Sequence, residues 1–520
     1  MRPIHPRTAR ASRLLTVMAL SLLAVPLAAA EIPAHPDKLA YPKLAFTPPS
    51  AKDHRAVLRS GVVVYFAESH ELPLVNLSLV FRGGTYLDPG GKEGLAELAG
   101  YLLSRGGTKM RTPEQMEERL ALLAAQLGSS WGEERGPMGG PAGAFAFDRG
   151  TVTLNLLSKD LDEGMAILRE VLTEPRFADE RVKLRKDQLL AEMKQRNDQS
   201  SAIEARERGV LSFGEGFHTN RFATKASIEG ITRDDLVAFQ KTWVHPRNVL
   251  VAVSGDVDHA AMLKKLDALF ASWPAPGQAA PPVPKPDHRM TPGTYLVDKD
   301  VNQGRVSMLL PGISRDDPDF HAAQVMNDIL GGGGFTSRIT NRVRSDEGLA
   351  YSAGSALVGG VWYPGTWRAA FQSKVRTAAY ASEIVLQEMQ KVRDQGVTDD
   401  ELKTAKASLV DTFPRRFATK AQVVSVLLDE EFTGRYRTNP AYFANYRPNI
   451  EKVTAAGVKR VAGRLITPEK VTLLVVGKKA DLLNPDPKHP VKFADLTGGK
   501  LTELPLRDPM TMKPVVRGAK

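Results

Sequence analysis

Apolar positions along the chain fall into two rhythms. Short apolar runs and alternation at the strand period mark residues 61–66, 74–82, 151–157 and 249–253 as strands. Spacing at the helical period marks 93–104, a segment from Thr112 to about Gly128, 161–172, a long stretch 178–211, a helix opening at 231–235, and 260–273. Thr112 followed by Pro113 reads as an N-cap with proline in the first turn. Thr232 followed by Asp234 and Asp235 reads as a cap with acids at the positive end of the helix. The region 129–150 is rich in Gly and Pro and reads as a looped insertion of unknown role.

The proline-rich stretch 274–292 is an extended linker, and the segment on its C-terminal side repeats the segment on its N-terminal side. Thr232, Pro246 and Gly255 have counterparts in Thr454, Pro468 and Gly477, each pair 222 residues apart. The context matches too: a helix after Thr, then Pro, then an aliphatic strand (249–253 against 471–475), then Gly. Strands 305–310 and 368–373 and a helix 319–330 echo first-half elements at similar offsets. Each half reads β, β, α, α, β, α, α, α, β, α. The expected fold is α+β: two homologous α/β-roll halves, each a mostly antiparallel sheet with helices on one face, joined as a clamshell. The expected boundaries are an arm at 31–56, halves at 57–273 and 294–480 around the linker 274–293, and a loosely structured C-terminal tail, 481–520.

Charge and composition narrow the setting. Arg2, Arg7, Arg10 and Arg13 precede an apolar run at 14–27 and three alanines, 28–30, which together read as a signal peptide (residues 1–30) cleaved near Ala30. No other apolar run approaches the ~20 residues of a membrane span. The expected address is the periplasm, with no membrane span, and the absence of Cys suits an oxidising compartment. The formal net charge of +11 includes the four leader arginines. The densest basic cluster, 183–186, lies among acids on a helical pattern, and no aromatic-interleaved basic stripe points to nucleic acid.

The stretch 92–103 (KEGLAELAGYLL), followed by Gly106-Gly107-Thr108, resembles the active-site helix of the pitrilysin/insulinase zinc peptidases. In that family the helix carries H-x-x-E-H: two His one turn apart hold zinc, and the Glu activates its water. Here those positions read Glu97, Gly100 and Tyr101. Glu192, in QLLAEM, falls where the family places its third ligand; its other reading is an exposed or salt-bridged helix Glu. Independently of any family, the ten His have a closest spacing of 14, between His245 and His259, so no helix presents two of them one turn apart. The expectation is no metal and no catalytic residue in this chain. His218 reads as a loop histidine without a partner.

The second half holds the positive signal. Four glycines, 331–334, lead to Arg344-Ser345-Asp346-Glu347-Gly348-Leu349-Ala350-Tyr351. This is similar to the family's second-domain motif R-E-x-x-G-L-A-Y, departing from it at Ser345. The resemblance implies that Arg344 and Tyr351 hold a peptide substrate; their other readings are a solvated Arg and a core aromatic. No Lys-Ser/Thr follows the glycines, so they form no phosphate loop, and close backbone approach or flap motion is the expected use. The resemblance therefore implies a noncatalytic subunit, similar to the substrate-binding subunit of mitochondrial processing peptidase-like heterodimers. Its partner would be a homologous H-x-x-E-H subunit that carries the zinc, and its substrates unfolded peptides. The alternative is a stand-alone peptide-binding or scaffold protein.

Overall fold

Two sheets of six strands each organise the computed structural model, which describes residues 45–132, 146–273 and 277–515 together with residues 35 and 39. The expected leader and its cleavage site, and most of the 129–150 insertion, lie outside the described residues. Residues from Thr47 onward form one compact unit.

In the first sheet the order is β1-β2-β6-β3-β5-β4, from strands β1 (Arg55–Val57), β2 (Val63–Glu68), β3 (Leu74–Arg82), β4 (Gln126–Trp131), β5 (Arg149–Leu157) and β6 (Val249–Gly255). The second sheet runs β12-β7-β11-β8-β10-β9, from β7 (Gly293–Asp298), β8 (Gln303–Pro311), β9 (Ala350–Leu357), β10 (Thr366–Lys374), β11 (Thr472–Gly477) and β12 (Leu501–Leu504). Five positions correspond in order (β2-β6-β3-β5-β4 with β7-β11-β8-β10-β9), while the outer strand differs: β1 precedes its half and runs antiparallel to β2, and β12 follows its half and runs parallel to β7. In both sheets the strand that comes after the duplicated Pro pairs parallel on one side (β2 with β6, β7 with β11) and antiparallel on the other. Both duplicated Thr residues cap helices, accepting from Asp235 N and Gly457 N. The repeat read from three anchor positions is thus a repeat of topology. Its central strands, β6 and β11, are buried almost throughout, which explains why they read as continuous aliphatic runs.

The helices that matter for the site are α1 (Leu95–Leu103), α2 (Pro113–Leu122), α3 (Leu161–Thr173), α4 (Asp179–Lys194), α5 (Ser200–Phe213), α6 (Arg233–Trp243), α7 (His259–Ala271), α8 (Phe320–Asn327) and α9 (Lys420–Phe432). Four elements differ from the sequence reading. The helix capped by Thr112 ends at Leu122, because Ala124 takes a left-handed φ of 48° and turns the chain into β4. Ser129 to Trp131 therefore belong to a strand paired with β5, not to a loop. The stretch 178–211 breaks into α4 and α5 at the polar run 195–199. The C-terminal region is not loose: β12 extends the second sheet, and Arg507 beyond it reaches Glu207 and Glu215 of the first half.

The break before α5 lets it leave its own half. Ile203 joins a core cluster with Tyr295, Val297, Leu474 and Val476 of the second sheet, and buried Glu204 accepts from Ser307 Oγ at 2.7 Å. In return α9 packs on β2 and β6 of the first sheet. Its Glu431, with a side chain 2% exposed, accepts from Arg55 Nε at 3.0 Å and Tyr65 OH at 3.1 Å. Each half thus covers one face of the other's sheet with a helix, and the expectation of helices on one face only is incomplete.

Candidate functional site

Helix α1 is held by both its ends and its inner face. Asp88 accepts from Gly94 N at 2.9 Å and Ala96 N at 2.7 Å, satisfying donors of the first turn. Burial pushes its carboxyl up to about 7, against the pull of those two donors. On the inner face, Ser129 Oγ of β4 donates to Gly100 O at 2.6 Å and accepts from Ser104 N at 3.0 Å. Gly100 itself meets β4 backbone to backbone: a Cβ there would press onto Trp131 N and stand 2.8 Å from the Ser130 carbonyl carbon. The position that carries the catalytic Glu in the peptidases is therefore closed to any side chain unless β4 moves.

The other three motif positions converge on one side chain that the sequence reading left unassigned within the basic cluster 183–186. Arg185 of α4 turns inward, its side chain 13% exposed. It reaches Glu192 Oε1 at 3.0 Å and Glu97 Oε1 at 3.5 Å, and its Cζ lies 4.3 Å from the centre of the Tyr101 ring. A guanidinium thus binds together the residues at both His positions and at the third-ligand position. Its charge offsets that of the carboxylates Glu97 and Glu192, and the Tyr101 face adds a cation–π contact. Arg105 lies over the same ring at 4.4 Å. Tyr101, Leu102, Arg105, Arg181, Leu184 and Gln188 line a shallow surface depression around Arg185. Among the described residues no group of three or more His, Cys, Asp or Glu is arranged to hold a metal ion. The signal for Arg185 was its spacing: it precedes Glu192 by seven, two helical turns on the same face.

In the second half, α8 runs into a wide turn, Asp328–Gly332. A Cβ on Gly331 would stand 2.5 Å from Ser355 N, and one on Gly354 would stand 2.7 Å from Gly331 O, so the helix end and β9 touch backbone to backbone. This is the close approach expected of the glycines, and it mirrors α1 on β4. The same loop lifts Phe335 outward. Arg344 Cζ lies 4.5 Å from the Phe335 ring centre and 4.8 Å from that of Tyr351. Tyr351 is 86% exposed, so it is not a core aromatic. The structure therefore brings Arg344 and Tyr351 together and adds Phe335, which the motif did not single out.

His218 is buried, with neither ring nitrogen hydrogen-bonded, among Tyr86, Phe147 and Phe217. Burial, helped by nearby Arg221, lowers its pKa to about 4. Neighbouring Tyr363 and Trp362 come from the second half, and Trp362 Nε1 donates to Asp148 at 2.8 Å. The cage belongs to the contact between the halves.

A sheet-and-helix fold duplicated within one chain, with a helix bearing a closed motif in the first half, defines a peptidase-like protein without the peptidase's metal site. Comparison with known proteins agrees. Residues 63–211 match the insulinase model of peptidase family M16, and residues 230–409 match the model of the peptidase M16 inactive domain. The chain belongs to peptidase family M16 and is a noncatalytic member of it. It is 27% identical over 381 residues to the non-peptidase homolog YmxG of Helicobacter pylori, covering 71% of this chain and 82% of that one. It is 21% identical over 422 residues to the probable mitochondrial-processing peptidase subunit beta of Arabidopsis thaliana, covering 77% and 74%. In fold it is similar to the crystal structure of a peptidase M16 inactive domain from Pseudomonas fluorescens. The TM-score is 0.71 at 23% identity, over 83% of this chain and 99% of that one. The neighbours share the two-halved clamshell expected from the sequence.

Proposed function

We propose that this chain is the noncatalytic partner subunit of an exported zinc metallopeptidase. It completes the peptide-binding surface of a homologous subunit that carries H-x-x-E-H and the zinc. The observation that carries this reading is Arg185: a guanidinium bridges Glu97 and Glu192 and stacks on Tyr101 where active relatives would place their metal ligands. Arg344 and Tyr351 then serve as substrate contacts, the Arg through its forked donors and the Tyr through its hydroxyl, both suited to peptide carbonyls. The partner's H-x-x-E-H would hold a zinc ion able to activate water for attack on the peptide bond, and this chain orients the peptide. The names of two relatives, a non-peptidase homolog and a processing-peptidase subunit, support such a division of labour. Among the described residues no helix is long and apolar enough to cross a membrane.

The test is reconstitution. The purified chain alone should not hydrolyse unstructured peptides, with or without added zinc or chelator. Mixed with an H-x-x-E-H homologue from the same host, it should form a complex and raise peptide hydrolysis, and Arg344→Ala with Tyr351→Phe should lower that rate without loss of assembly. Hydrolysis by the lone chain overturns the reading. Failure to associate with such a homologue favours a stand-alone peptide-binding or scaffold protein.

A further inference from the structure

Arg344 sits on a turn, Asn341–Asp346, crowded with charge, yet the charges around it are already committed. Arg342 reaches Asp346 at 3.1 Å and Glu347 at 3.4 Å. Arg338 reaches the Glu401 carboxylate at 2.6 Å and 2.7 Å. Among the described residues, Arg344 has no carboxylate within ion-pair distance and no oxygen acceptor for its N–H donors; its contacts are the two rings. Those rings are 66% (Phe335) and 86% (Tyr351) exposed. Two large aromatics left in water around a guanidinium cost hydration free energy that a bound apolar group would recover.

The loop that presents Phe335 is braced rather than slack. Thr336 Oγ1 donates to Gly333 O at 2.9 Å and Ser337 Oγ to Gly334 O at 2.7 Å. The guanidinium is thereby held between two side chains before any ligand arrives, which reduces the ordering cost of binding. One uncompensated guanidinium matches a single carboxylate in its forked geometry. It does not match a phosphate dianion, for which a second uncommitted cation would be needed and Arg342 is neutralised.

We propose that Phe335, Arg344 and Tyr351 form a clamp for a peptide carboxylate, with an apolar or aromatic side chain of the same peptide laid on the two rings. This rests on the reading of Arg344 and Tyr351 as peptide contacts and adds what they select. The carboxylate can come from the peptide's C-terminus or from an Asp or Glu side chain.

The full chain is titrated against fluorescently labelled, unstructured decapeptides by anisotropy. One peptide ends in Phe-Leu with a free carboxylate. A second is the same peptide amidated, and a third is amidated with one Glu placed beside the Phe. The free acid, the Glu peptide or both should bind about tenfold tighter than the plain amide, the usual scale of one charge-assisted contact at a partly exposed site. Which of the two gains identifies the carboxylate's source. Arg344→Met should erase the difference, Arg344→Lys should retain part of it, and Phe335→Ala should weaken all three peptides. Equal affinity for all three, no effect of Arg344→Met, or no binding of any peptide overturns the clamp. Hydrolysis of the peptides by the lone chain overturns the noncatalytic-subunit reading instead, and leaves the carboxylate preference as a separate result.

Discussion

Gly100 offers the most direct test of why the peptidase motif cannot be restored here. Replacing Gly by Ala in the body of a helix normally stabilises it by about 0.5–1 kcal/mol. At Gly100 the new methyl would press onto Trp131 N and stand 2.8 Å from Ser130 C and 2.9 Å from Trp131 Cβ, atoms that no side-chain rotation can move. Relief requires α1 to separate from β4, stretching the 2.6 Å bond from Ser129 Oγ to Gly100 O and the 3.0 Å bond from Ser104 N to Ser129 Oγ. Overpacking of this kind costs about 1–3 kcal/mol and each buried hydrogen bond weakened about 1 kcal/mol more. Set against the propensity gain, Gly100→Ala should destabilise by about 2–4 kcal/mol. Gly463, in the helix Ala455–Leu465, is the control, since a Cβ there meets nothing within 4 Å. Gly463→Ala should be neutral or stabilising by up to about 1 kcal/mol. Urea unfolding followed by tryptophan fluorescence compares the two, with buried Trp131 reporting at the contact itself. The same geometry forbids Glu at position 100, and Arg185 fills the place of the ion. The triple variant Glu97→His, Gly100→Glu, Tyr101→His should therefore purify without stoichiometric zinc. A Gly100→Ala variant as stable as Gly463→Ala, or one zinc per chain in the triple variant, would refute this reasoning.

Arg185→Met should lower stability by about 1 kcal/mol, a modest figure because Glu192 is 61% exposed, and Arg185→Lys should not rescue it, since an ammonium cannot bridge two carboxylates and lie on a ring at once; thermal unfolding reads both. Glu431→Ala should cost about 3 kcal/mol or more, because it strands Arg55 and the Tyr65 hydroxyl against α9, and denaturant midpoints measure it. His218 carries a pH signature. Its folded pKa, about 4, lies below the unfolded value of about 6.5, so the unfolded chain takes up the proton first. Its contribution is complete above about pH 6.5 and is lost as pH falls toward about 4; His218→Phe should flatten that part of the stability–pH curve while keeping the aromatic cage filled.

Much of the fold was written in local pattern. Thr112 and Thr232 cap the helices they were expected to cap, because a cap needs only its own first turn. Strands β3, β6 and β11 were legible because their burial is continuous or alternating along the strand itself. Strand β4 was not: Gln126-Leu127-Gly128-Ser129-Ser130-Trp131 has little strand propensity and is held by its ladder to β5. The tail's β12 has only four residues and exists because β7 offers it an edge.

The sequence alone determined the duplication and the loss of the His pair. Both are statements about identity and spacing along the chain, which no packing can alter. It also placed Arg344 and Tyr351 seven positions apart on a recognisable motif. What filled the vacated metal position, and what surrounds Arg344, were decided only in three dimensions. Arg185 lies 88 residues from Glu97, and its inward turn depends on α4 packing beside α1. The exchange of α5 and α9 between the sheets likewise has no local cause. An amphipathic helix records that one of its faces must be buried, but not which sheet will bury it.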